Sequence, residues 1–342
     1  MSSVDRFQEI LTGSWKTQAL YAAAELQIAD FLAQGPKTAE ELAAVSGSHP
    51  PSLRRLLLAL CSLEICKERA DGAFELEPMG ELLQKDNPDS LRAWTQWWAR
   101  YLGPVWERLL DSVKTGESGR KLLYGTEGFE HLQRDPVAAA TFSQAIAELT
   151  RLHIKDIVRA YDFSEAKWII DLGGGTGELL LEILQNQPSA SGILFDLPSG
   201  IEHAKSRFDK TDLAGRCELV AGDFFASVPR GGDLYLLKSI LHDWNEAKSL
   251  RILENCRRAM EPKARLLVIE PVLPEKRGAS AGDQALSRSD LTMLVAHGAK
   301  ERTDSEFQSL LGSAGFSLAR TIAAGPAFSI LECHPALPGE SR

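Results

Sequence analysis

From about residue 165 the chain alternates short apolar runs with helical stretches: "KWIIDL", "GILFDL", "CELVAG", "DLYLLKS" and "ARLLVIE". Runs that are short, almost wholly apolar and separated by helical sequence suit strands buried on both faces. That is the pattern of a parallel sheet built from βαβ units. Open sheets of this kind bind their ligands outside the carboxyl ends of the strands. The residues just after each run are therefore where chemistry is expected.

The first run leads into "DLGGGTGELLLEIL", with Gly173, Gly175 and Gly177 two apart ahead of a helix. Glycines at a strand-to-helix turn let the backbone approach a ligand closely. The dinucleotide pattern G-x-G-x-x-G fails at its third glycine, where Glu178 stands. An acid at a helix N-terminus opposes a phosphate, so the ligand is not read as held by its phosphates. The second run ends in Asp196, where a carboxylate suits the two hydroxyls of a ribose. The third leads to "AGDFF", where Asp223 can accept from an adenine amine and Phe224 can cover its ring. Together these strand ends describe an adenosine site without a phosphate cradle, and S-adenosylmethionine fits it.

The fourth run continues as "LKSILHDWNE". Lys238 and Ser239 end the strand, and His242 follows beside Asp243 and Trp244. A histidine there is either an ordinary edge residue or a base that titrates near neutral pH. The fifth run offers a partner, because "RLLVIE" ends in Glu270. Glu301 precedes Arg302 and Thr303 at a loop-to-helix boundary. A carboxylate on one imidazole nitrogen would fix the tautomer and stabilise the imidazolium. No His, Asp or Glu cluster shows metal-ligand spacing along the chain, so no metal is expected.

The first hundred residues read as helical. Phe7, Leu11, Trp15 and Ala19 repeat on one face, joined by Ile10. "TAEEL" offers Thr38 and Glu41 as a capping box, and "GSHPPSLRRLLLALCSLEI" opens a helix on prolines. "CKERADGAFELEP" carries a hairpin signal at Asp71-Gly72. Helix, turn, helix, hairpin is the order of a winged helix, which raises DNA binding. Up to residue 95, however, fourteen acids stand against nine bases. The would-be recognition helix keeps only Arg54 and Arg55 in a Leu-rich sequence, the face of a packed helix. The net charge of −9 argues the same way. The next helices include the tryptophan-rich "LRAWTQWWARYLGPVWERLLDSV" and the long pattern "DPVAAATFSQAIAELTRLHIKDIVRAY".

The domains are read as 1–95, a winged-helix-like unit; 96–160, helices contributing to a substrate pocket; and 161–342, the cofactor-binding sheet domain. The tail from about Pro335 is expected to fray. No apolar run is long enough to span a membrane, and "MSSVDRFQEI" lacks the apolar core of a secretory signal. The five cysteines are scattered and form no C-x-x-C. A reducing cytoplasm suits them.

The motifs "DLGGGTG", "FDLP", "GDFF", "LHDW", "IEPVLP" and "GAKERT" resemble those of class I S-adenosylmethionine-dependent O-methyltransferases of small aromatic molecules. This is the caffeate and hydroxyindole type, including bacterial antibiotic-tailoring members, and the resemblance runs from about residue 10 to 335. It implies an α/β fold: a Rossmann-like domain on a mostly parallel seven-stranded sheet, with an N-terminal, mainly helical winged-helix dimerisation domain. It further implies that Gly173, Gly175, Asp196, Asp223, Phe224 and Lys238 hold the cofactor, with Ser239 and Thr150 at the same edge. By the same resemblance His242 is the general base flanked by Glu270 and Glu301. Phe142, Ile146, Asp243, Met293 and His297 would face a small aromatic acceptor. The segment "MLVAHGAKERT" departs from plant-type members, being about one residue shorter before Glu301. A homodimer without nucleic-acid or membrane partners is expected. Other readings in keeping with the sequence are N-methylation of a heteroaromatic ring, a decarboxylase or hydroxylase of the same fold, and a transcription factor that senses S-adenosylmethionine.

Overall fold

The computed structural model describes residues 2–126 and 128–336. The chain folds as two compact units, Met1–Pro104 with Val137–Leu149, and Val105–Pro136 with Thr150–Arg342. The long helix Pro136–Ala160 gives residues to both.

In the first unit, the apolar repeat near the N-terminus forms two helices, Ser3–Thr12 and Ser14–Glu25, which meet at Gly13. The expected capping box is present: Glu41 N–H donates to Thr38 Oγ1 and Thr38 N–H to the Glu41 carboxylate. Helix Pro50–Ser62 starts on its prolines and buries Leu53, Leu57 and Leu60. The hairpin pairs β1 (Cys66–Glu68) with β2 (Phe74–Leu76), and Phe74 is wholly buried. Arg54 is held by Glu68 at 2.6 Å, which takes up one of the two bases on the Leu-rich helix. The tryptophan-rich segment includes a turn of π-helix over Trp97–Leu102.

In the second unit the five apolar runs become β3 (Trp168–Leu172), β4 (Ser191–Asp196), β5 (Cys217–Ala221), β6 (Leu234–Lys238) and β7 (Arg265–Glu270). The short strands β8 (Val272–Leu273) and β9 (Arg302–Thr303) pair in parallel. The last two, β10 (Phe316–Ala324) and β11 (Phe328–Pro335), join the main sheet antiparallel. Its seven strands run β10-β11-β7-β6-β3-β4-β5. Both faces are covered: Ile170, Leu172, Tyr235 and Leu237 pack into one apolar layer, and Ile169, Leu234 and Leu236 into the other. Pro335 is still paired, with Phe316. The rest of the tail, from 337 on, lies outside the described residues. No helix among them is long and apolar enough to cross a membrane.

Strand order reverses between β3 and β6, which opens a crevice at their carboxyl ends. Gly173, Asp196, Asp223, Lys238 and Glu270 all lie at or just past such ends.

Candidate active site

At the crevice β3 runs into the glycine turn. A Cβ on Gly174 would stand 2.3 Å from Leu194 and one on Gly177 2.5 Å from Phe208, whereas one on Gly175 would meet nothing within 4 Å. The turn is packed hard on its flanks and open at Gly175, whose φ is 58°. Asp196 ties this turn to β4. Its Oδ2 accepts from Gly175 N–H at 2.8 Å and its Oδ1 from Leu197 N–H at 2.7 Å. Each oxygen keeps a lone pair for a ligand hydroxyl. Burial raises the Asp196 carboxyl above its usual range, and the two N–H bonds oppose that. Past β5, Asp223 is exposed and accepts from Phe225 N–H at 2.8 Å. The Phe224 ring is half-buried, edge-on to Phe225 at 5.0 Å.

Glu178 behaves differently from the sequence reading. It is buried and ion-paired to Arg151 at 3.2 Å and Arg207 at 2.6 Å. Its charge is therefore spent inside the fold, and repulsion of a phosphate is not its role.

Asp171, inside the quoted motif, was not singled out by its sequence position. It is 2 % exposed and its Oδ2 lacks a hydrogen-bond partner. Burial pushes its carboxyl up to about 7, Lys238 pulling it down and Asp196 pushing it up. A buried orphan oxygen beneath the glycine turn is where a cationic ligand group would be accommodated. Lys238 Nζ reaches Thr150 Oγ1 at 3.1 Å and Ser239 Oγ at 3.3 Å. Burial lowers the Lys238 pKa, resisted by Glu270, Asp171 and Asp243.

The chain turns sharply after β6, with Ser239 in the left-handed region at φ 54°. Ile240 and Leu241 N–H both donate to Glu270 Oε1, at 2.9 and 2.8 Å. These bonds shape the turn that presents His242. Its Nδ1 stands 3.0 Å from Glu301 Oε1 and 3.4 Å from Glu270 Oε2. Glu301 arrives there because the pairing of Val272 with Arg302 lays β9 beside β8. Ser289 Oγ donates to the same Glu301 oxygen at 2.7 Å, and Glu301 N–H donates to Asp290 at 3.1 Å. Arg302, 1 % exposed, braces the turn from below. It donates to the carbonyls of Leu241 at 2.8 Å and Trp244 at 3.1 Å. Ser289, Asp290 and Arg302 carried no sequence signal, since ordinary polar residues far apart in the chain make these contacts.

On the other side, His242 Nε2 stands 3.7 Å from Asp243 Oδ1, and His297 Nε2 stands 3.4 Å from the same oxygen. Met293 lies one turn before His297 on helix Ala281–His297, and both are buried. Phe142 and Ile146 stand on the part of helix Pro136–Ala160 that folds with the first unit, where Phe142 packs on Trp97 at 4.9 Å.

Burial alone would push His242 towards the neutral imidazole. Glu270, Glu301 and Asp243 outweigh it and raise its pKa to about 10. Burial likewise raises Glu270 to about 7 and Asp243 to about 6, His242 opposing in both. Glu301 falls below its ordinary value: burial works against ionisation, but His242 and Ser289 prevail. Glu301 is thus the standing anion on Nδ1. The donor atoms of His242, Glu270 and Glu301 also lie within 4.8 Å of one another, a spacing that a metal ion could use. Linear spacing hid this cluster, whose members stand 28 to 59 residues apart in the chain and meet only in the fold.

A doubly wound sheet with an open glycine turn, a carboxylate at the next strand end and a carboxylate-bound histidine two strands away is the architecture of a class I methyltransferase domain. The chain belongs to the O-methyltransferase family: the O-methyltransferase domain matches residues 106–317 and the O-methyltransferase dimerisation domain residues 8–86. It is 41% identical to phenazine O-methyltransferase PhzM of Lysobacter antibioticus, over 96% of this chain and 95% of that one. It is 32% identical to phenazine-1-carboxylate N-methyltransferase of Pseudomonas aeruginosa, over 92% of each. The crystal structure of LaPhzM superposes with a TM-score of 0.94 at 40% identity, covering 98% of this chain and 100% of that one. The O-methyltransferase NcsB1 from neocarzinostatin biosynthesis, in complex with S-adenosylmethionine and 2-hydroxy-5-methyl naphthoic acid, gives a TM-score of 0.80. Its identity is 32%, over 94% of this chain and 96% of that one. The chain is an S-adenosylmethionine-dependent O-methyltransferase.

Proposed function

We propose that the acceptor is a hydroxyl on a small planar aromatic secondary metabolite and that His242 takes its proton. When bound, S-adenosylmethionine supplies the methyl group as an electrophile. Asp196 receives the ribose hydroxyls, Asp223 and Phe224 the adenine, and Asp171, Lys238, Ser239 and Thr150 line the methionine end. Gly173 and Gly175 let the backbone come close. The observation that carries the reading is the contact of His242 Nδ1 with Glu301 at 3.0 Å. A proton held on Nδ1 leaves Nε2 as the acceptor. An unperturbed phenol has a pKa of roughly 10, and the carboxylates around His242 lift it well above an ordinary imidazole, which makes it a stronger base towards a phenol. Glu301 and Glu270 then stabilise the imidazolium. Asp243, Met293 and His297 face the acceptor. The proton on Nδ1 occupies the place a metal would take between the carboxylates, so turnover should survive EDTA. Loss of activity restored by Mg²⁺ would count against this.

The test is a screen for S-adenosylhomocysteine formation over phenols and hydroxylated polycyclic aromatics, with heteroaromatic amines and ring nitrogens alongside. Turnover of hydroxyl acceptors alone supports the reading. Turnover of nitrogen acceptors alone replaces it.

The same proposal includes a homodimer built on the dimerisation domain. Val4, Phe7, Ile10 and Leu11 of helix Ser3–Thr12 are all more than half exposed, a stripe that monomers rarely leave open. Light scattering should give twice the chain mass, and a version lacking about the first ninety residues should lose that mass. A soluble, active, monomeric truncation would contradict it.

A further inference from the structure

Arg120 lies in helix Gly119–Tyr124 and is 2 % exposed. A guanidinium so deeply buried usually has a carboxylate partner. Here Nη1 donates only to the Gly128 carbonyl, at 3.4 Å, and Nε has no hydrogen-bond partner. Among the described residues none forms an ion pair with Arg120. Asp243 feels its charge, but its carboxylate stands closest to the histidines, 3.4 Å from His297 and 3.7 Å from His242.

The helix is seated by a residue with no side chain. A Cβ on Gly119 would stand 2.7 Å from the Val105 carbonyl and 3.3 Å from that of Val295, on the helix that carries His297. His297 is buried, its Nδ1 lacks a partner, and burial together with the Arg120 charge keeps it neutral. The Phe129 ring lies tilted 5.1 Å from His297 and edge-on 6.0 Å from Trp244, an aromatic wall on the same side. Thr126, on the connection between Arg120 and Phe129, is buried with its hydroxyl also unpartnered. A buried guanidinium outside ion-pair distance of any carboxylate among the described residues, unspent donors and an aromatic wall thus lie on the Asp243 side of His242.

We propose that Arg120, with His297 beside it, recognises a carboxylate carried by the aromatic acceptor, making hydroxyaryl carboxylates the preferred substrate class. This rests on the reading of His242 as the base that faces the acceptor. The carboxylate would supply the missing counterion and orient the ring so that its hydroxyl meets Nε2. Arg120 binds and orients, and takes no proton.

The test compares 3-hydroxy-2-naphthoate with 2-naphthol and with the methyl ester of the naphthoate. Binding is measured by calorimetry on protein loaded with S-adenosylhomocysteine, and kcat/KM on the turning-over enzyme. Wild type should bind the carboxylate about 10- to 100-fold more tightly than either neutral compound, the worth of a charge-assisted pair. Arg120→Leu should shrink that ratio to within about threefold, and Arg120→Lys should recover part of it, since a point charge lacks the two-pronged geometry. Equal losses for all three ligands in Arg120→Leu would mark Arg120 as a structural counter-charge and overturn the proposal. So would a wild-type ratio near one, which is decisive even where Arg120→Leu fails to fold. Because binding is read without methyl transfer, absent turnover of hydroxyaromatics would sink the acceptor assignment while leaving the carboxylate preference measurable.

Discussion

The two edges of the crevice are built by different means. The proposed cofactor edge is shaped mainly by backbone: a glycine turn, two N–H groups on Asp196, and strand ends in register, with Asp171 and Lys238 buried beneath it. The proposed acceptor edge is made of buried charge, with His242, Glu270, Glu301 and Asp243 packed together and Arg120 close enough for its charge to bear on Asp243. A backbone turn keeps its shape when a side chain is replaced, whereas clustered buried charges hold a proton balance that shifts when any member is removed. The first edge suits a ligand common to a whole family. The second suits a ligand that must lose a proton.

The largest structural effect should come from the one carboxylate that serves both as brace and as counter-charge. Glu270→Ala strands the buried N–H groups of Ile240 and Leu241, and each orphaned donor costs about 1–3 kcal/mol. Denaturant unfolding should show a loss of about 2–5 kcal/mol. A variant as stable as wild type would mean that relief of the buried charge offsets the two lost hydrogen bonds and that Glu270 is not needed as a brace.

At the cofactor edge the effect should be smaller and fall on binding. Asp196→Ala should weaken S-adenosylmethionine by about 1.5–3 kcal/mol in a calorimetric titration, with the fold kept. Unchanged affinity in a folded variant would remove the ribose assignment.

Ser289→Ala should have the smallest effect. The protein keeps the Glu301–His242 contact but loses one hydrogen bond on Glu301, worth about 1 kcal/mol, so kcat should fall several-fold with cofactor affinity unchanged. An unaltered kcat would show that Glu301 needs no help in holding His242.

The contrast also explains what could be read from the chain. The parallel strands, the capping box at Thr38, the hairpin and the long helix Pro136–Ala160 are local patterns, and all are present. Gly173, Gly175, Asp196 and Asp223 follow strands whose periodicity is plain, so their place at the crevice was legible. His242 and Glu270 were legible for the same reason, and Glu301 through the resemblance. Their mutual approach was not, because the β8–β9 pairing that delivers Glu301 involves strands of two residues each. Arg120, Asp171 and Arg302 are set apart by burial and Ser289 by its bond to Glu301, which no linear spacing reveals. Glu178 illustrates the converse. Its position suggested repulsion of a ligand, but Arg151 and Arg207, distant in sequence, absorb its charge.

The central claim is that His242 removes the acceptor's proton, and its most direct test is the pH dependence of methyl transfer in wild type and His242→Gln. The carboxylates raise His242 to about 10, so the neutral, proton-accepting form grows as pH climbs from neutrality towards that value. Wild-type kcat/KM should therefore rise with pH over that window. At pH 7 the variant should bind S-adenosylmethionine nearly as well as wild type but turn over about 10²–10⁴ more slowly, the usual worth of a general base. The variant's rate should also rise with pH as the phenol, with a pKa of roughly 10, ionises unaided, so the two rates should climb in parallel up to that value. A variant that keeps the full wild-type rate at pH 7 would contradict the account.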